Sequence, residues 1–281
     1  MTDAKIYAKA VGELAFDGDS AVLESLDCSY PEVRYPSLIK NTLLGAELLT
    51  PVLGATVLTA KGYLLPGNVS VRENHHLLTS IVGAGGSFTL EVGGLTRRVS
   101  AKSLTFCSDP GYGTRSGEKF TLVMISPEPC FTAPERTVVG IPDVADGLTF
   151  PLSLDASCGT RGSNGTVTVE NNGDIETGFV LDIDFPAEAA GFVLVSDRED
   201  GTFAITRTID ANEHIKIDTR PGRKSVTDSD GDSILGDLTE RCRFHSVKPG
   251  TTTFTWRCVS DEAPVVHLTF AEGYLTAEAV G

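Results

Sequence analysis

The chain has 281 residues, with 23 basic and 38 acidic side chains and a formal net charge of −15. This length predicts two domains or one large β domain, and a hydrophobic content of 41% is enough for packed cores. The negative charge argues against a nucleic-acid-binding protein, because that class needs a clustered basic surface to neutralise phosphates. The tight basic pairs, Arg97-Arg98 and Arg241/Arg243, lie in strand-like sequence and are interpreted as solvated strand faces.

The start of the chain and its most apolar stretch bear on localisation. The first residues lead into no apolar segment of the kind that forms a secretory signal peptide. Residues 42–60 carry Glu47 and Pro51 near their middle, so we predict neither a transmembrane helix nor membrane insertion. Cys242 and Cys258 flank a predicted hairpin, but a cytosol would keep them reduced, and Cys258 falls on an apolar strand face.

The first half of the chain reads as short strands separated by turns. Strands are predicted at residues 6–10, 21–26, 68–72, 76–82, 87–92, 95–101 and 119–126. A helix is predicted over Ser37–Leu49, whose leucines lie roughly on one side, although Gly45 interrupts the pattern. The glycine runs at 83–86 and 93–94 are interpreted as hairpin turns, since the first lacks the lysine and the following helix of a phosphate-binding loop.

Four prolines lie close together between the two halves of the sequence. Pro127, Pro129, Pro134 and Pro142 fall in one short stretch, which predicts an irregular linker. We place the domain boundary near Arg136, giving a first domain of residues 1–136 and a second of residues 137–281.

Residues 165–270 repeat one unit, a short alternating strand followed by a tight polar turn. Within Thr252–Val259, the side chains of Phe254, Trp256 and Cys258 share one face, which is the period of a strand with one buried side. The connections are built from residues that favour hairpin turns: Asn172-Gly173-Asp174, Asp200-Gly201, Pro221-Gly222 and Pro249-Gly250. Many short antiparallel strands with regular turns predict a β-sandwich or barrel.

The order of these turns and strands resembles that of a known family. The segments that carry the resemblance are Val169–Asp174, Ala211–Thr219 with Pro221–Lys224, and Phe244–Gly250 before the Trp256 strand. They resemble the C-terminal, galectin-like sandwich of phage distal tail proteins, the ring component between tail tube and tail tip. Upstream, Lys119–Phe131 resembles the segment that closes the ring-forming domain of that family.

The resemblance implies an all-β protein of two domains. Residues 1–136 would form a β-sandwich or split-barrel ring domain with one short helix. Residues 137–281 would form a galectin-like β-sandwich, with the last strand allowed to return to the first domain. The implied function is that of a structural component of a phage or phage-derived tail, located at the virion tail tip after assembly in the host cytoplasm.

The resemblance also implies partners. Copies of the chain would form a ring, hexameric in the family, that joins the tail tube protein to a tail-tip or hub protein. The second domain would hold receptor-binding proteins or fibres. DNA would pass through the lumen without specific binding, which suits a negatively charged protein because like charges repel.

Three carboxylates suggest a metal site. Asp228, Asp230 and Asp232 begin like a calcium-binding loop, but Ser233 and Thr239 stand where an EF-hand needs glycine and glutamate. We interpret the segment as a solvated hairpin loop, with an irregular cation site as the alternative.

The histidines do not form a metal-binding pattern. On the predicted strand, the neighbours His75 and His76 would point to opposite faces and could not bind one ion together. His214, His245 and His267 lie on separate strands. We therefore predict no metal ion and no cofactor.

No pattern of catalytic residues is present. The sequence contains no G-x-S-x-G elbow and no cysteine–histidine signature. Asp182 and Asp184 share one strand face at a period of two, but a solvated face explains them more simply than a glycosidase pair. The chain is predicted not to be an enzyme.

The alternative to a tail component is a carbohydrate-binding module, because galectin-like sandwiches bind sugars. Sugar platforms expose several aromatic side chains, whereas aromatic residues make up 7% of this chain and Trp256 is its one tryptophan. Since Trp256 alternates onto the apolar face, it is predicted to lie in the core.

Overall fold

The computed structural model describes residues 4–29, 31, 33–34, 37–39, 46–48, 52–83, 86–107, 117–145 and 160–277. The chain divides into two compact units. The first comprises Met1–Pro134 together with Tyr274–Gly281, and the second is the continuous segment Glu135–Gly273.

Within its described residues, the first unit contains strands β1 to β12 and one helix. They are β1 (Ala4–Ala8), β2 (Gly12–Ala15), β3 (Ala21–Cys28), β4 (Val33–Arg34), β5 (Ser37–Ile39), β6 (Ala46–Leu48), β7 (Val52–Leu53), β8 (Thr56–Leu64), α1 (Val71–Gly83), β9 (Phe88–Val92), β10 (Leu95–Cys107), β11 (Glu118–Ser126) and β12 (Phe131–Thr132). The strands predicted at 6–10, 21–26, 87–92, 95–101 and 119–126 are confirmed as β1, β3, β9, β10 and β11.

One antiparallel sheet forms most of the first unit. Its strand order is β2-β1-β9-β10-β11-β8-β3, with β12 beside β10. The first part of β10 pairs with β9, and its later part, with a register shift between Ala101 and Ser103, pairs with β11. Alternate residues of β8, β9 and β11 are buried, so these strands turn one face to the core.

The strands predicted at 68–72 and 76–82 are wrong, because this segment forms α1. Asn74, Leu78 and Ile81 are its buried residues, at spacings of four and three that follow a helical period. The β-branched residues Val69, Val71, Ile81 and Val82 also fit short strands, which is why the segment misleads.

A capping box fixes the start of α1. The backbone N–H and the hydroxyl of Ser70 donate to the Glu73 carboxylate, each at 2.8 Å, and the Glu73 N–H donates to Ser70 Oγ at 3.3 Å. These bonds satisfy backbone groups that a helix start leaves unpaired. The buried Asn74 amide then donates to the carbonyl groups of Ser20 and Leu65.

The helix predicted over Ser37–Leu49 is also wrong. Strands β5 and β6 pair antiparallel, with Ser37 opposite Leu48 and Ile39 opposite Ala46. Glycine costs about 1 kcal/mol within a helix, so Gly45 weakens the helical alternative to this pairing. Residues 40–45 lie outside the described part of the chain.

Only one of the two glycine runs forms the predicted hairpin turn. Gly93-Gly94 joins β9 to β10, with φ values of 58° and 80°, the left-handed conformation that a two-residue hairpin requires. The run at 83–86 does not join two strands, because Gly83 ends α1.

Arg97 contradicts the interpretation of Arg97-Arg98 as a solvated face. Its side chain is 1% exposed, and its guanidinium lies 5.0 Å from the centroid of the Phe131 ring. Nη2 donates to the Glu128 carbonyl at 2.7 Å, and desolvation lowers the pKa of Arg97. Arg98, on the opposite face of β10, is exposed and pairs with the Glu128 carboxylate.

The second unit contains strands β13 to β22. They are β13 (Arg136–Val139), β14 (Ile141–Ala145), β15 (Thr160–Asn171), β16 (Phe179–Phe185), β17 (Ala189–Ser196), β18 (Phe203–Ile209), β19 (Glu213–Asp218), β20 (Ser225–Thr227), β21 (Gly250–Ser260) and β22 (Val265–Phe270). After it, β23 (Gly273–Tyr274) pairs with β12, and Tyr274 joins the core of the first unit.

Two five-stranded sheets face each other in the second unit. Their orders are β13-β22-β16-β19-β20 and β14-β15-β21-β17-β18, and their inner faces share one core. Trp256 in β21 is fully buried there, beneath Gly140 and Gly165, where an added Cβ would come within 2.6 and 2.3 Å of the indole. The all-β fold class and the core position of Trp256 are confirmed.

Two of the four predicted hairpin turns join paired strands. Asp200-Gly201 connects β17 to β18, and Pro221-Gly222 connects β19 to β20, with positive φ at both glycines. The prediction is wrong for the other two. Asn172–Asp174 carries the chain from one sheet to the other, and Pro249-Gly250 follows a loop.

The proline-rich stretch is not irregular as predicted, because β12, β13 and β14 lie within it, although the division between the two units falls between Pro134 and Glu135. Strand β13 pairs with β22, and β14 pairs with β15. Strand β14 lies at the edge of its sheet, and edge strands tolerate proline, so Pro142 fits there. The basic pair Arg241/Arg243 is exposed as expected, but it lies in a loop and not on a strand.

Candidate assembly and docking surfaces

The first segment that carries the family resemblance, Val169–Asp174 at the end of β15, has a structural role. The buried Asn171 amide donates to the carbonyl groups of Ile175 and Val247 at 3.0 and 3.1 Å. Asn171 Oδ1 accepts the Gly173 N–H at 2.9 Å. One side chain therefore shapes the turn between the sheets and ties it to the loop before β21.

The second segment, at the end of β19, is also structural. Thr219 Oγ1 accepts the Phe179 N–H at 2.8 Å and donates to the Phe179 carbonyl at 3.1 Å. Arg220 donates hydrogen bonds to the Asp218 carboxylate from Nε at 3.0 Å and from Nη2 at 2.6 Å. Burial alone would raise the pKa of Asp218, but the hydrogen bonds from Arg220 outweigh it and hold that pKa below its usual value.

The third segment, before β21, is held by Glu199 in the β17–β18 hairpin. Ser246 donates its hydroxyl at 2.6 Å and its N–H at 3.1 Å to the Glu199 carboxylate, and the buried His245 Nδ1 lies 3.2 Å from it. Burial pushes the pKa of Glu199 up, yet these hydrogen bonds together lower it. The first segment binds the backbone of the third through Asn171, the second binds the backbone of Phe179, and the third is held by Glu199. The residues that carry the resemblance therefore fix turns and loops of the fold.

The predicted metal candidates lie together on one exposed loop. Asp228 Oδ1 accepts the N–H groups of Asp230 and Asp232 at 3.1 and 2.9 Å, so one of its oxygens is engaged in shaping the loop. Over the part of the chain that the structure describes, no cluster of histidine, cysteine, aspartate and glutamate has the arrangement of a metal site.

The outer face of the sheet β13-β22-β16-β19-β20 carries contacts between acidic and basic side chains. His214 Nδ1 lies 2.8 Å from Asp184 and its Nε2 lies 3.4 Å from Asp182, and Lys216 lies 3.7 Å from Asp182. His267 is the cross-strand neighbour of Asp182. Asp182 and Asp184 thus share a solvated face, as predicted, where His214 contacts both of them and Lys216 pairs with Asp182.

The remaining histidines are held apart from that face. His245 is buried with Glu199. His75 lies on α1, where its ring stacks on Phe106 at 3.9 Å between centroids and its Nδ1 lies 2.7 Å from Glu118. A sequence argument that placed His75 on a strand could not find these contacts.

The outer face of the sheet β14-β15-β21-β17-β18 contains a row of uncharged side chains. Register places Ile141, Thr166, Thr255 and Val195 in one row across its strands, and Ile141 is 73% exposed. The two outer faces of the sandwich therefore differ in part: one has a row of ionic contacts, and the other has a row of threonine, valine and isoleucine with the exposed Glu170 and Arg257 elsewhere on it.

The sheet of the first unit ends in two edges. Strands β2 and β3 stand at opposite ends of the strand order, and no described strand pairs with their outer sides. Phe16 donates its N–H to the Ala4 carbonyl. Since inward and outward groups alternate along a strand, the N–H groups of Glu13 and Ala15 point away from β1. By the same rule the Leu26 N–H points away from β8.

Cys242 and Cys258 are both free thiols, and desolvation raises the pKa of Cys258 to about 11.

Among the described residues, no helix is both long and apolar enough to cross a membrane.

Comparison with known proteins finds others that are similar to this chain in sequence profile or in fold. Residues 172–274 match the profile of the siphovirus-type tail component, C-terminal domain. The crystal structure of the Dit protein of phage SPP1, described as a paradigm of hub adsorption apparatus in phages that infect Gram-positive hosts, superposes with a TM-score of 0.63 at 12% identity, over 95% of this chain and 98% of that chain. A chain of the phage P2 baseplate in its activated conformation with calcium gives 0.51 at 10% identity, over 96% and 98%. No curated protein sequence matches the chain.

The profile match, together with the shared fold, identifies a structural component of a phage-type tail or baseplate. Residues 172–274 are similar to the siphovirus-type tail component domain, and the chain shares the fold of the SPP1 Dit protein. The predicted resemblance to phage distal tail proteins is therefore confirmed.

Proposed function

We propose that this chain forms a closed ring, a hexamer, that joins the tail tube to the tail-tip or hub protein at the end of the virion tail. The observation that carries the proposal is the pair of open edges, β2 and β3, at the two ends of one sheet. An open edge presents unpaired N–H and C=O groups, which are a template for a neighbouring chain.

Two different edges on one molecule favour a ring. When the β2 edge of one copy meets the β3 edge of the next, the contact is head-to-tail, and such contacts close into a ring when the rotation allows. The hexameric number comes from the resemblance to distal tail proteins. Assembly would take place in the host cytoplasm.

The second unit is proposed to anchor receptor-binding proteins or fibres. The hydrogen bonds of Asn171, Asp218 and Glu199 hold the turns and loops at one end of this unit, called here the motif end. We therefore expect its outer faces to form a rigid platform. The proposal contains no catalytic step. A net charge of −15 would let DNA pass the ring without specific binding, because like charges repel.

The experiment is mass photometry and negative-stain imaging of the purified protein, alone and with the tail tube protein. A ring of six copies is expected, at high protein concentration or on the tube partner. A protein that stays monomeric under all these conditions, with no ring in assembled particles, contradicts the proposal.

A matched pair of variants tests the edge itself. Glu13→Pro removes an outward N–H of β2 without breaking a bond to β1, because the bonded N–H groups belong to its neighbours. Glu13→Ala removes the same side chain and keeps the N–H. Ring formation is expected to fail for Glu13→Pro and to persist for Glu13→Ala, while circular dichroism shows both folded. Equal assembly of the two variants would exclude β2 pairing.

A further inference from the structure

Two arginines and the β17–β18 turn line an open cavity at the motif end of the second unit. The cavity has a volume of about 480 Å³ and is lined by Asp200, Gly201, Arg241, Cys242 and Arg243. This volume is within the range of ligand pockets in proteins. The cavity takes no part in the edges proposed for the ring, which belong to the first unit.

The backbone of this loop is fixed. The Arg243 N–H donates to the Thr202 carbonyl at 3.1 Å, and the Cys242 N–H donates to the Thr239 carbonyl at 2.9 Å. The aliphatic stem of Arg243 crosses directly over Gly201, where an added Cβ would come within 2.7 Å of Cδ. Gly201 has a φ of 113°, so glycine here serves both the turn and the position of the arginine.

The guanidinium groups of Arg241 and Arg243 form no ion pair with any described carboxylate. Two carboxylates of the β17–β18 turn are already engaged, since Asp197 accepts the Thr253 N–H and Glu199 accepts the hydrogen bonds of Ser246. The third, Asp200, lines the cavity itself. Arg243 Nη1 donates to the Asp200 carbonyl at 3.5 Å, so this turn leaves two cations beside a cavity without a described carboxylate partner, in a chain whose net charge is −15.

The surroundings add positive charge and apolar surface. Lys224 lies over the ring of Phe244, 5.6 Å from its centroid, and Phe244 packs edge-on against Phe203. Burial raises the pKa of Cys242, so its thiol stays neutral and does not offset the arginines. An arginine fork binds a carboxylate through paired hydrogen bonds.

We propose that this cavity binds an aspartate or glutamate side chain of a protein that docks on the second unit. A peptide carboxylate is favoured over a polyanion such as a phosphate polymer for two reasons. Asp200 lines the cavity and repels a highly charged ligand, and the negative charge of the whole chain does the same at longer range. The inference rests on the proposed role of the second unit as an anchor for other tail proteins.

The test is fluorescence anisotropy with the full chain and a labelled peptide of alternating serine and glutamate, beside the same peptide with glutamine in place of glutamate. The glutamate peptide is expected to bind about tenfold more tightly, as a charge-assisted hydrogen bond predicts. The double variant Arg241→Ala/Arg243→Ala should remove this difference. Arg257→Ala, an exposed arginine on β21 outside the cavity, should leave it unchanged.

Further measurements separate the alternatives. The variant Arg241→Lys/Arg243→Lys keeps the charge without the fork and should retain part of the preference. Equal binding of the two peptides, or a preference that survives the double alanine change, overturns the proposal. Tighter binding of polyphosphate at the same arginines also overturns it, in favour of a phosphate-bearing polymer. Mass photometry of the double alanine variant reports the ring independently, so the docking proposal and the ring proposal fail separately.

Discussion

Trp256 shows at the residue scale how much of the second core depends on one side chain. It is fully buried beneath Gly140 and Gly165. Replacing a large buried aromatic by alanine costs about 3–5 kcal/mol, so Trp256→Ala should lower the free energy of unfolding of the second unit by that amount. Urea unfolding followed by circular dichroism measures it.

The control for this change is the adjacent Arg257→Ala. Arg257 is exposed on the other face of the same strand, and a surface change of this kind stays within about 0.5 kcal/mol. In the wild-type protein, Trp256 emission should be blue-shifted and resistant to iodide. Red-shifted, fully quenchable emission would contradict the burial of Trp256 and would support the alternative that this strand is a ligand-binding platform.

Glu199 makes the stability of the second unit dependent on pH. Its folded-state pKa lies below the ordinary value of 4.5, because the hydrogen bonds from Ser246 and His245 together outweigh its desolvation. A carboxylate with a lowered folded pKa contributes stability that is present above its unfolded pKa and is lost as the pH falls through the folded value. Asp218 acts in the same direction.

The free energy of unfolding should therefore fall as the pH drops below about 4.5. Glu199→Gln should be less stable than wild type at neutral pH and should lose less on acidification, because its amide does not titrate. Denaturant titrations between neutral and acidic pH measure both effects, with the exposed Glu262→Gln as control. A wild-type slope that Glu199→Gln leaves unaltered would assign the acid sensitivity to other carboxylates.

Single residues also show what the sequence could reveal. Arg97 lies at a period of two from Leu95 and Val99, both buried, so the alternation itself points Arg97 inward. The charge of the side chain suggested the opposite. The pairing of Glu199 with His245 spans 46 positions and follows from the meeting of two loops, which no local spacing predicts.

At the scale of elements, α1 depends on a signal that its hydrophobic pattern does not give. The motif Ser70-x-x-Glu73 forms the capping box, and removal of such a cap costs about 1 kcal/mol. Ser70→Ala should lower the stability of the first unit by about this amount, while His76→Ala, an exposed position of the same helix, should have little effect. Hydrogen exchange should show faster opening of the first turn of α1 in Ser70→Ala alone.

The strands divide into those that local sequence predicts and those that tertiary pairing decides. Within β21 the alternation of Phe254, Trp256 and Cys258 is strict, and the strand is where the pattern puts it. Strand β13 lies in proline-rich sequence and exists because β22 offers it an edge. Pairing partners distant in sequence leave no local trace, so proline content alone predicted a linker.

At the scale of the whole molecule, the sequence predicted the class of protein better than it predicted the surfaces. The order of the turn and strand segments carried the resemblance, and these segments are the ones that hold the loops of the second unit through Asn171, Thr219 and Glu199. Selection for a fold leaves such residues in order along the chain. The open edges and the Arg241/Arg243 cavity depend on which strands end up unpaired, and only the structure shows this.

The last prediction concerns the two units as folding elements. Each has its own hydrophobic core, and a unit with its own core can unfold by itself. Trp256→Ala should therefore abolish hydrogen-exchange protection in β15, β17 and β21 at a denaturant concentration where β9, β10 and β11 stay protected. The ring should then still form, because the edges β2 and β3 belong to the first unit. Simultaneous loss of protection in both sets of strands would instead mean that the two units unfold as one.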